Sequence, residues 1–328
     1  MKKTFLFALI VAALWSCGSN NGAKLLPNVS GKAGEIIVVI DKDSWEGALG
    51  NELRNTLGGD CPYLANREPL FNLANVPPGS FNNMFKMHRN ILIMNINPQN
   101  QNSGVVYQVN MWAAPQCVAQ VNAWTSEDAV TLVKENSEQI AEYFEQAERD
   151  RIIANAEKYE ELSIKPYVKQ LTGGEMVFPS GYRIRKTTED FLWVADEKQY
   201  TNQTVLIYKY PVTGEDFTKE NIIRRRNEFM KANVPGMMVE TMWMTTSMAI
   251  EPEVRFLSYK GISFAEMRGF WEVTNDFMGG PFVSHSFYSP DGKYIIVTEA
   301  FVYAPRFDKR QYLRQVESLL YSFRWAED

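Results

Sequence analysis

The tightest constraint on the fold lies near the end of the chain. From Asp308 onward, Tyr312, Leu313, Val316, Leu319, Leu320 and Phe323 recur at helical spacing and share one apolar face. A helix with a single apolar stripe must cover something, and the segment before it supplies a sheet. Residues 282–288 and 294–303 are β-branched and aromatic runs joined by Ser289-Pro290-Asp291-Gly292, with Pro and Gly where a tight turn needs them. Asp308 is placed to cap the helix. Upstream, residues 191–195 and 204–210 continue an antiparallel pattern, and residues 218–233 form a helix stopped by Pro235-Gly236. Residues 239–246 and 254–256 add further strands.

The first half is less regular. Gly34 precedes a β-branched run at 36–40 that reads as a buried strand, and Asp43 with Glu46 forms a capping box for a helix to about Leu57. Residues 58–85, broken by Pro62, Pro69 and Pro77-Pro78, read as a loop, with strands following at 91–96 and 105–113. Ser126-Glu127-Asp128 opens a helix in which Val130, Val133, Ile140, Tyr143, Phe144 and Ala147 keep helical spacing. Unbroken to Glu161 it would measure roughly 50 Å at 1.5 Å per residue, and Pro166 ends it. The expected class is α+β, with two mostly antiparallel sheet domains each covered by helices. The expected division is a signal peptide at 1–16, a lipidated tether at 17–30, an N-terminal domain at 31–165 and a C-terminal α+β sandwich domain at 166–328.

The signal peptide is read from Lys2-Lys3, an apolar run from Phe5 to Trp15, and Ser16 before Cys17. The run falls short of the about 20 apolar residues a membrane span needs. Leu14-Trp15-Ser16-Cys17 resembles the lipobox of bacterial lipoproteins, which implies cleavage before Cys17 and lipidation of that cysteine, palmitate included. The polar stretch Ser19-Asn20-Asn21-Gly22-Ala23 suits a flexible tether. It lacks the acidic run that often accompanies surface export in Bacteroidetes lipoproteins, so the expected location is the outer membrane, facing the periplasm.

Charge narrows the partners. The chain has 34 basic and 39 acidic groups, a net charge of −5, and losing Lys2 and Lys3 with the leader takes it to −7. Phosphate neutralisation has no general basis in such a body, so no nucleic acid is expected. Arg224-Arg225-Arg226, the one basic run of note, reads as a solvated helix face. Beyond the lipidated residue, Cys61 and Cys117 either pair in an oxidising envelope or stay as two separate buried thiols; pairing would contribute about 4 kcal/mol on the chain-entropy model.

Catalytic signatures are sparse. His88 and His285 are the only histidines, and His285, alternating with Val283 and Phe287, reads as a sheet residue rather than a general base. No His-Glu-x-x-His, Cys-x-x-Cys or Gly-x-Ser-x-Gly occurs, and Gly31-Lys32-Ala33-Gly34 precedes its strand where a phosphate loop must follow one. Met238, Met242, Met244 and Met248 share strand parity; thioethers suit Cu(I), but a buried methionine face is the simpler reading. No metal, cofactor or catalytic residue is therefore expected. The most suggestive stretch sets Arg268, Glu272 and Asp276 among Phe270, Trp271 and Phe277, followed by Gly279-Gly280-Pro281. Arg268, Trp271, Glu272 and Asp276 are the candidate binding residues, for an envelope protein or a glycan. Glu272 and Asp276 would serve an alternative, a carboxylate-dependent hydrolase of envelope glycan, if they stood about 5–10 Å apart across a cleft.

From Gly31 to Phe323 the chain resembles an uncharacterised Bacteroidetes lipoprotein family, a domain of unknown function. The residues that carry the resemblance are Gly34-Glu35-Ile36-Ile37-Val38-Val39-Ile40 with Trp45, Arg89-Asn90-Ile91, Arg268-Gly269-Phe270-Trp271-Glu272-Val273, Phe277-Met278-Gly279-Gly280-Pro281-Phe282 and Phe301-Val302-Tyr303-Ala304-Pro305. It implies an envelope lipoprotein of two linked regions and assigns no site residue. The second half also resembles the PsbP/Mog1-like α/β/α sandwich in pattern, a likeness that does not carry function. The expected function is a membrane-anchored, non-catalytic module binding a protein or glycan through a face near residues 269–282.

The anchor is directly testable: Cys17→Ala should move the protein from the membrane to the soluble fraction, and retention in the membrane would refute lipidation at that residue.

Overall fold

Two large sheets and one two-stranded sheet are built from these runs, and the computed structural model describes residues 25–326 of the chain. The leader, Cys17 and the tether up to residue 24 lie outside the described residues. The first half contains β1 (Glu35–Val39), α1 (Lys42–Glu46), α2 (Ala48–Thr56), β2 (Asn72–Val76), α3 (Asn83–Lys86), β3 (Asn90–Ile96), β4 (Gly104–Val109), β5 (Cys117–Ala123), α4 (Ser126–Glu135) and α5 (Ser137–Lys158). The second half contains α6 (Lys165–Thr172), β6 (Gly174–Glu175), β7 (Arg183–Thr187), β8 (Phe191–Lys198), β9 (Thr201–Pro211), α7 (Lys219–Asn233), β10 (Met244–Ser247), β11 (Glu253–Tyr259), β12 (Ile262–Val273), β13 (Gly279–Tyr288), β14 (Tyr294–Tyr303), α8 (Arg310–Leu320) and β15 (Arg324–Trp325). No helix among the described residues is long and apolar enough to cross a membrane.

The class is α+β, and the second half matches the antiparallel expectation in full. Its main sheet runs β10-β12-β13-β14-β9-β8-β7, with β11 also paired to β12. Leu313, Val316, Leu319 and Leu320 of α8 join Val168 and Leu171 of α6 on one face, while Ile222 and Met230 of α7 pack on the other with Leu206, Tyr208 and Phe282. The first-half sheet differs from the antiparallel expectation. Its order is β2-β1-β3-β5-β4, and only β4 runs antiparallel to its neighbour. The long connections from β1 to β2 and from β2 to β3 permit such parallel crossovers. Burial on both sides explains the unbroken apolar run of β1: Ile36 and Val38 meet the helices, while Ile37 and Val39 lie under Phe81 and Phe85.

Several boundaries move for local reasons. The expected 50 Å helix is two helices, because Asn136 leaves helical geometry and its side chain bonds Leu132 O at 2.8 Å. Pro166 does not end a helix; it sits in the first turn of α6, where its missing N–H costs nothing. β2 lies inside the stretch expected to be a loop. Asp308 does not cap α8, whose backbone N–H groups at Lys309 and Arg310 donate instead to Glu68 of the first half, both at 2.7 Å. Gly279 and Gly280 are not a flexible loop but the start of β13; a Cβ on Gly280 would sit 2.2 Å from Val302 O.

The solvated reading of the arginine run fails at Arg226. Positions 222, 226, 230 and 233 form the buried stripe of α7, so Arg226 is fully buried while Arg224 and Arg225 bond Glu228 outside. Its Nε and Nη2 donate to Glu299 of β14 at 3.0 and 2.7 Å, Nη1 donates to Thr246, and the guanidinium lies 3.9 Å above Phe282. Glu299 is equally buried, so removing one partner strands a charge in the core. Arg226→Met should cost about 3–5 kcal/mol, and adding Glu299→Leu should recover most of it, as measured by urea unfolding.

Candidate functional site

The two halves meet along α5 and α8. The turns of α5 that bury Ile140 and Phe144 in the first-half core leave Glu142, Glu145, Gln146 and Arg149 on another face. That face opposes β11, β12 and the polar side of α8 across a cleft of about 700 Å³. The β11–β12 hairpin turns at Lys260-Gly261, both with positive φ (46° and 82°), a two-residue turn that fixes the register. By strand alternation, Arg255, Leu257 and Tyr259 then face the cleft beside Phe264, Glu266 and Arg268, all of which line it. Five arginines, five glutamates and five tyrosines are among the lining residues, so formal charge cancels and specificity must come from their arrangement.

Glu266 is the centre of that arrangement. Its side chain is almost fully buried and accepts from Arg268 Nε at 2.7 Å, Arg255 Nη2 at 3.1 Å and the Tyr321 hydroxyl at 3.0 Å. Burial alone would raise its pKa, but the charge of Arg268 and the hydrogen bonds it donates hold Glu266 well below the usual carboxylate range. Arg268 also bonds Glu317 of α8 at 2.5 Å. Burial lowers the pKa of Arg268, yet Glu317 and Glu266 outweigh it and keep the guanidinium charged. Behind Glu266, burial lowers His285, so its ring is neutral at pH 7 and its 3.5 Å approach to Glu266 is a polar contact; it stacks on Phe264. Arg314 bonds Glu145 and donates to Leu70 O at 2.9 Å. The Arg149 guanidinium lies over Tyr321, 3.5 Å from the ring centroid, and has no carboxylate partner among the described residues.

The four candidate binding residues do not share one face. Arg268 is in the cleft. Trp271 points to the opposite side of the sheet, 2% exposed, packed against Phe301 with ring centroids 5.3 Å apart. Glu272 shares the parity of Arg268 but lies about 13 Å further along β12 at 3.3 Å per residue. Asp276 sits in the β12–β13 turn and accepts from the N–H of Phe277 at 2.6 Å. Cys61 and Cys117 are free thiols rather than a disulfide. Cys117 is buried in the first-half core near Tyr143 O, whereas Cys61 lines the cleft, and burial pushes each thiol up to about 12. The methionine face does not form: Met238 and Met248 are exposed, and Met244 is buried against Arg226. Among the described residues, no group of three or more His, Cys, Asp or Glu side chains is placed to hold a metal ion.

Sequence reasoning missed Arg149, Arg255, Glu266, Glu317 and Tyr321. Arg149, Arg255 and Glu317 stand on the polar sides of their elements, where a functional side chain looks like an ordinary solvated one, whereas Glu266 and Tyr321 are buried in the second half. The tertiary pairing of β11 with β12 and of α5 with α8 brings them together.

The lowered Glu266 makes acid sensitivity testable. A depressed folded pKa confers stability that is whole above the unfolded carboxylate pKa of about 4.3 and wanes as pH falls below it. Glu266→Gln should therefore be clearly less stable than the wild type at pH 7, with the gap narrowing below about pH 4. Urea unfolding across that range checks the sign, and a gap that widens in acid would refute it.

Residues 29–157 match the family model described as Domain of unknown function (DUF8532), and residues 161–322 match Domain of unknown function (DUF4837). No curated protein matches the chain. The Saccharomyces cerevisiae Ran-binding protein Mog1p is similar at 8% identity over 47% of this chain and 90% of its own, with a TM-score of 0.31. LpqN of Mycobacterium tuberculosis, described as involved in cell envelope biogenesis, is similar at 12% identity over 44% of this chain and 78% of its own, with a TM-score of 0.28. A Bacteroides thetaiotaomicron structure is similar at 12% identity over 48% of this chain and 47% of its own, with a TM-score of 0.26. The chain is thus similar to two families of unknown function in succession, one in each half, and only weakly similar in structure to Mog1p.

Proposed function

We propose that this chain is a membrane-anchored envelope lipoprotein of Bacteroidetes type, and that it binds a protein or glycan in the cleft between its halves without catalysing a reaction. The cleft carries the reading. It is about 700 Å³, within the range of ligand sites, with aromatic walls and oriented charged groups. The anchor rests on Leu14-Trp15-Ser16-Cys17 and the polar tether, and with it the outer-membrane, periplasm-facing location. The glycan-hydrolase alternative wants a carboxylic acid held protonated, and the cleft offers the reverse. Glu266, at the centre of the cleft, is instead held well below the usual carboxylate range, chiefly by the charge of Arg268.

Arg149→Glu combined with Tyr259→Ala should weaken capture of an envelope component, or of glycans on an array, by about tenfold or more, ~1.4 kcal/mol. Arg224→Glu with Lys231→Glu, on the far face of the second half, should leave capture unchanged. A cleft variant that binds everything the wild type binds would refute the reading.

A further inference from the structure

The cleft is bordered by an unpaired strand edge. Among the described residues β11 pairs only with β12, through an unbroken register from Glu253↔Arg268 to Tyr259↔Ile262. A two-residue hairpin closes on a hydrogen-bonded pair, so Tyr259, Leu257, Arg255 and Glu253 spend their N–H and C=O groups on β12. Val254, Phe256 and Ser258 then point theirs outward, and none has a hydrogen-bond partner beyond β12 among the described residues. Phe256, midway along that edge, is 70% exposed.

The neighbouring edges are treated differently. β10 shares the same side of β12, but its Met244 and Thr246 N–H groups donate to Val234 O and Asn227 Oδ1 of the α7 segment. The opposite edge, β7, carries Arg183, Arg185 and Lys186 and a register shift between Ile184 and Lys186, two devices that block strand addition. β11 is continuous in register, its outward amides have no partner among the described residues, and its cleft-facing residues are those that line the cavity.

We propose that the ligand is an extended peptide segment that adds as a strand to the outer edge of β11. Its alternate side chains enter the cleft, one of them a carboxylate meeting Arg149. This rests on the cleft being the binding site and names what occupies it. The free amide ladder selects a polypeptide over a glycan, since main-chain hydrogen bonds supply the affinity in strand addition and side-chain pockets supply the selectivity. Charge complementarity selects the carboxylate: Arg255, Arg268 and Arg314 already hold glutamates and Arg310 donates to Pro69 O at the far end of the cleft wall, whereas Arg149, stacked on Tyr321 beside β11, has no carboxylate partner among the described residues. Gln146, which accepts from Arg149, also donates to the Tyr259 hydroxyl at 3.0 Å, placing that charge beside the end of β11.

The probe is a library of peptides about eight residues long, with Thr or Val at every second position and Glu, Asp, Tyr or Leu between. Chito-oligosaccharides run alongside. The full-length protein should bind acidic members of the library, and the Val254, Phe256 and Ser258 amides should gain protection from hydrogen exchange. N-methylation of the bound peptide at alternate residues, in one of the two possible registers, should weaken binding by about tenfold or more, and Phe256→Pro, which removes an outward N–H without touching the β12 ladder, should do the same. The N-methyl arm holds even if the proline variant fails to fold. Peptide binding that Arg149→Glu weakens, but that neither N-methylation nor Phe256→Pro affects, overturns strand addition and leaves the cleft as the site. Oligosaccharide binding sensitive to Arg149→Glu, without peptide binding, does the same. Binding of either probe that ignores Arg149→Glu overturns both readings, and absence of binding by both probes overturns the peptide proposal.

Discussion

The N-terminus of α8 has no cap of its own, and the joining of the two halves follows from how that need is met. Glu68, in the proline-rich stretch of the first half, accepts from the N–H groups of Lys309 and Arg310. A carboxylate there satisfies orphan donors and sits at the positive end of the helix dipole. One turn on, Arg314 reaches back to Glu145 of α5 and Leu70 O. α5 completes the junction, burying Ile140 and Phe144 in the first-half core and Ile153 and Ala156 in the second. The walls of the cleft are therefore held by the same contacts that order α8. A ligand between them meets a largely preformed site and is spared part of the ordering cost of binding.

Buried charge recurs on both faces of the second sheet, and the two cases differ in kind. Arg226 and Glu299 form a closed pair under α7, fully removed from water, with the guanidinium also bonded to Thr246. Such a pair adds little net stability against an apolar substitute but punishes any change to one partner. Around Glu266 the network is open at one side. Arg255 is half exposed, and Arg149 is stacked on Tyr321 with no carboxylate partner among the described residues. Preorganised charges at a water-accessible wall hold their geometry before a ligand arrives, which is the condition under which electrostatic recognition is selective.

Legibility in the sequence tracked whether a pattern was local. The α8 stripe and the β13–β14 hairpin were readable because periodicity and a Pro-Asp-Gly turn are contained in neighbouring residues. β2 was not, because Asn72 and Asn75 in a short edge strand look like loop chemistry until β1 supplies a partner. β5 was hidden by its own mixture, since Ala119, Gln120 and Asn122 carry no strand signal outside a sheet. The parallel order depends on crossovers that no local pattern encodes. Arg226 was within reach: Ile222 and Met230, one turn to either side, mark its position as inward. Trp271 illustrates the opposite error, an aromatic among charges that suggested a surface and proved to be core. Arg268 was identified, but its partners Glu266 and Glu317 come from its own strand and a distant helix, a combination only the folded chain displays.

The edges of the second sheet bear on why the cleft lies where it does. A sheet needs protection at each end against pairing with other chains. At β7 this is local, through cations and a register shift; at β10 it is tertiary, through α7. β11 shows no register shift and, among the described residues, no hydrogen bond to α7, yet its ends are not free. Tyr63 of the first half donates to Glu253 at 2.5 Å, and Gln146 of α5 donates to Tyr259. These two contacts bracket a strand of seven residues, about 23 Å at 3.3 Å per residue, with the open edge between them. That span admits a short extended segment and obstructs the long edge-to-edge pairing by which sheets aggregate. The first half thus acts as a gauge on the second, limiting what can reach β11 while contributing Arg149 to what does.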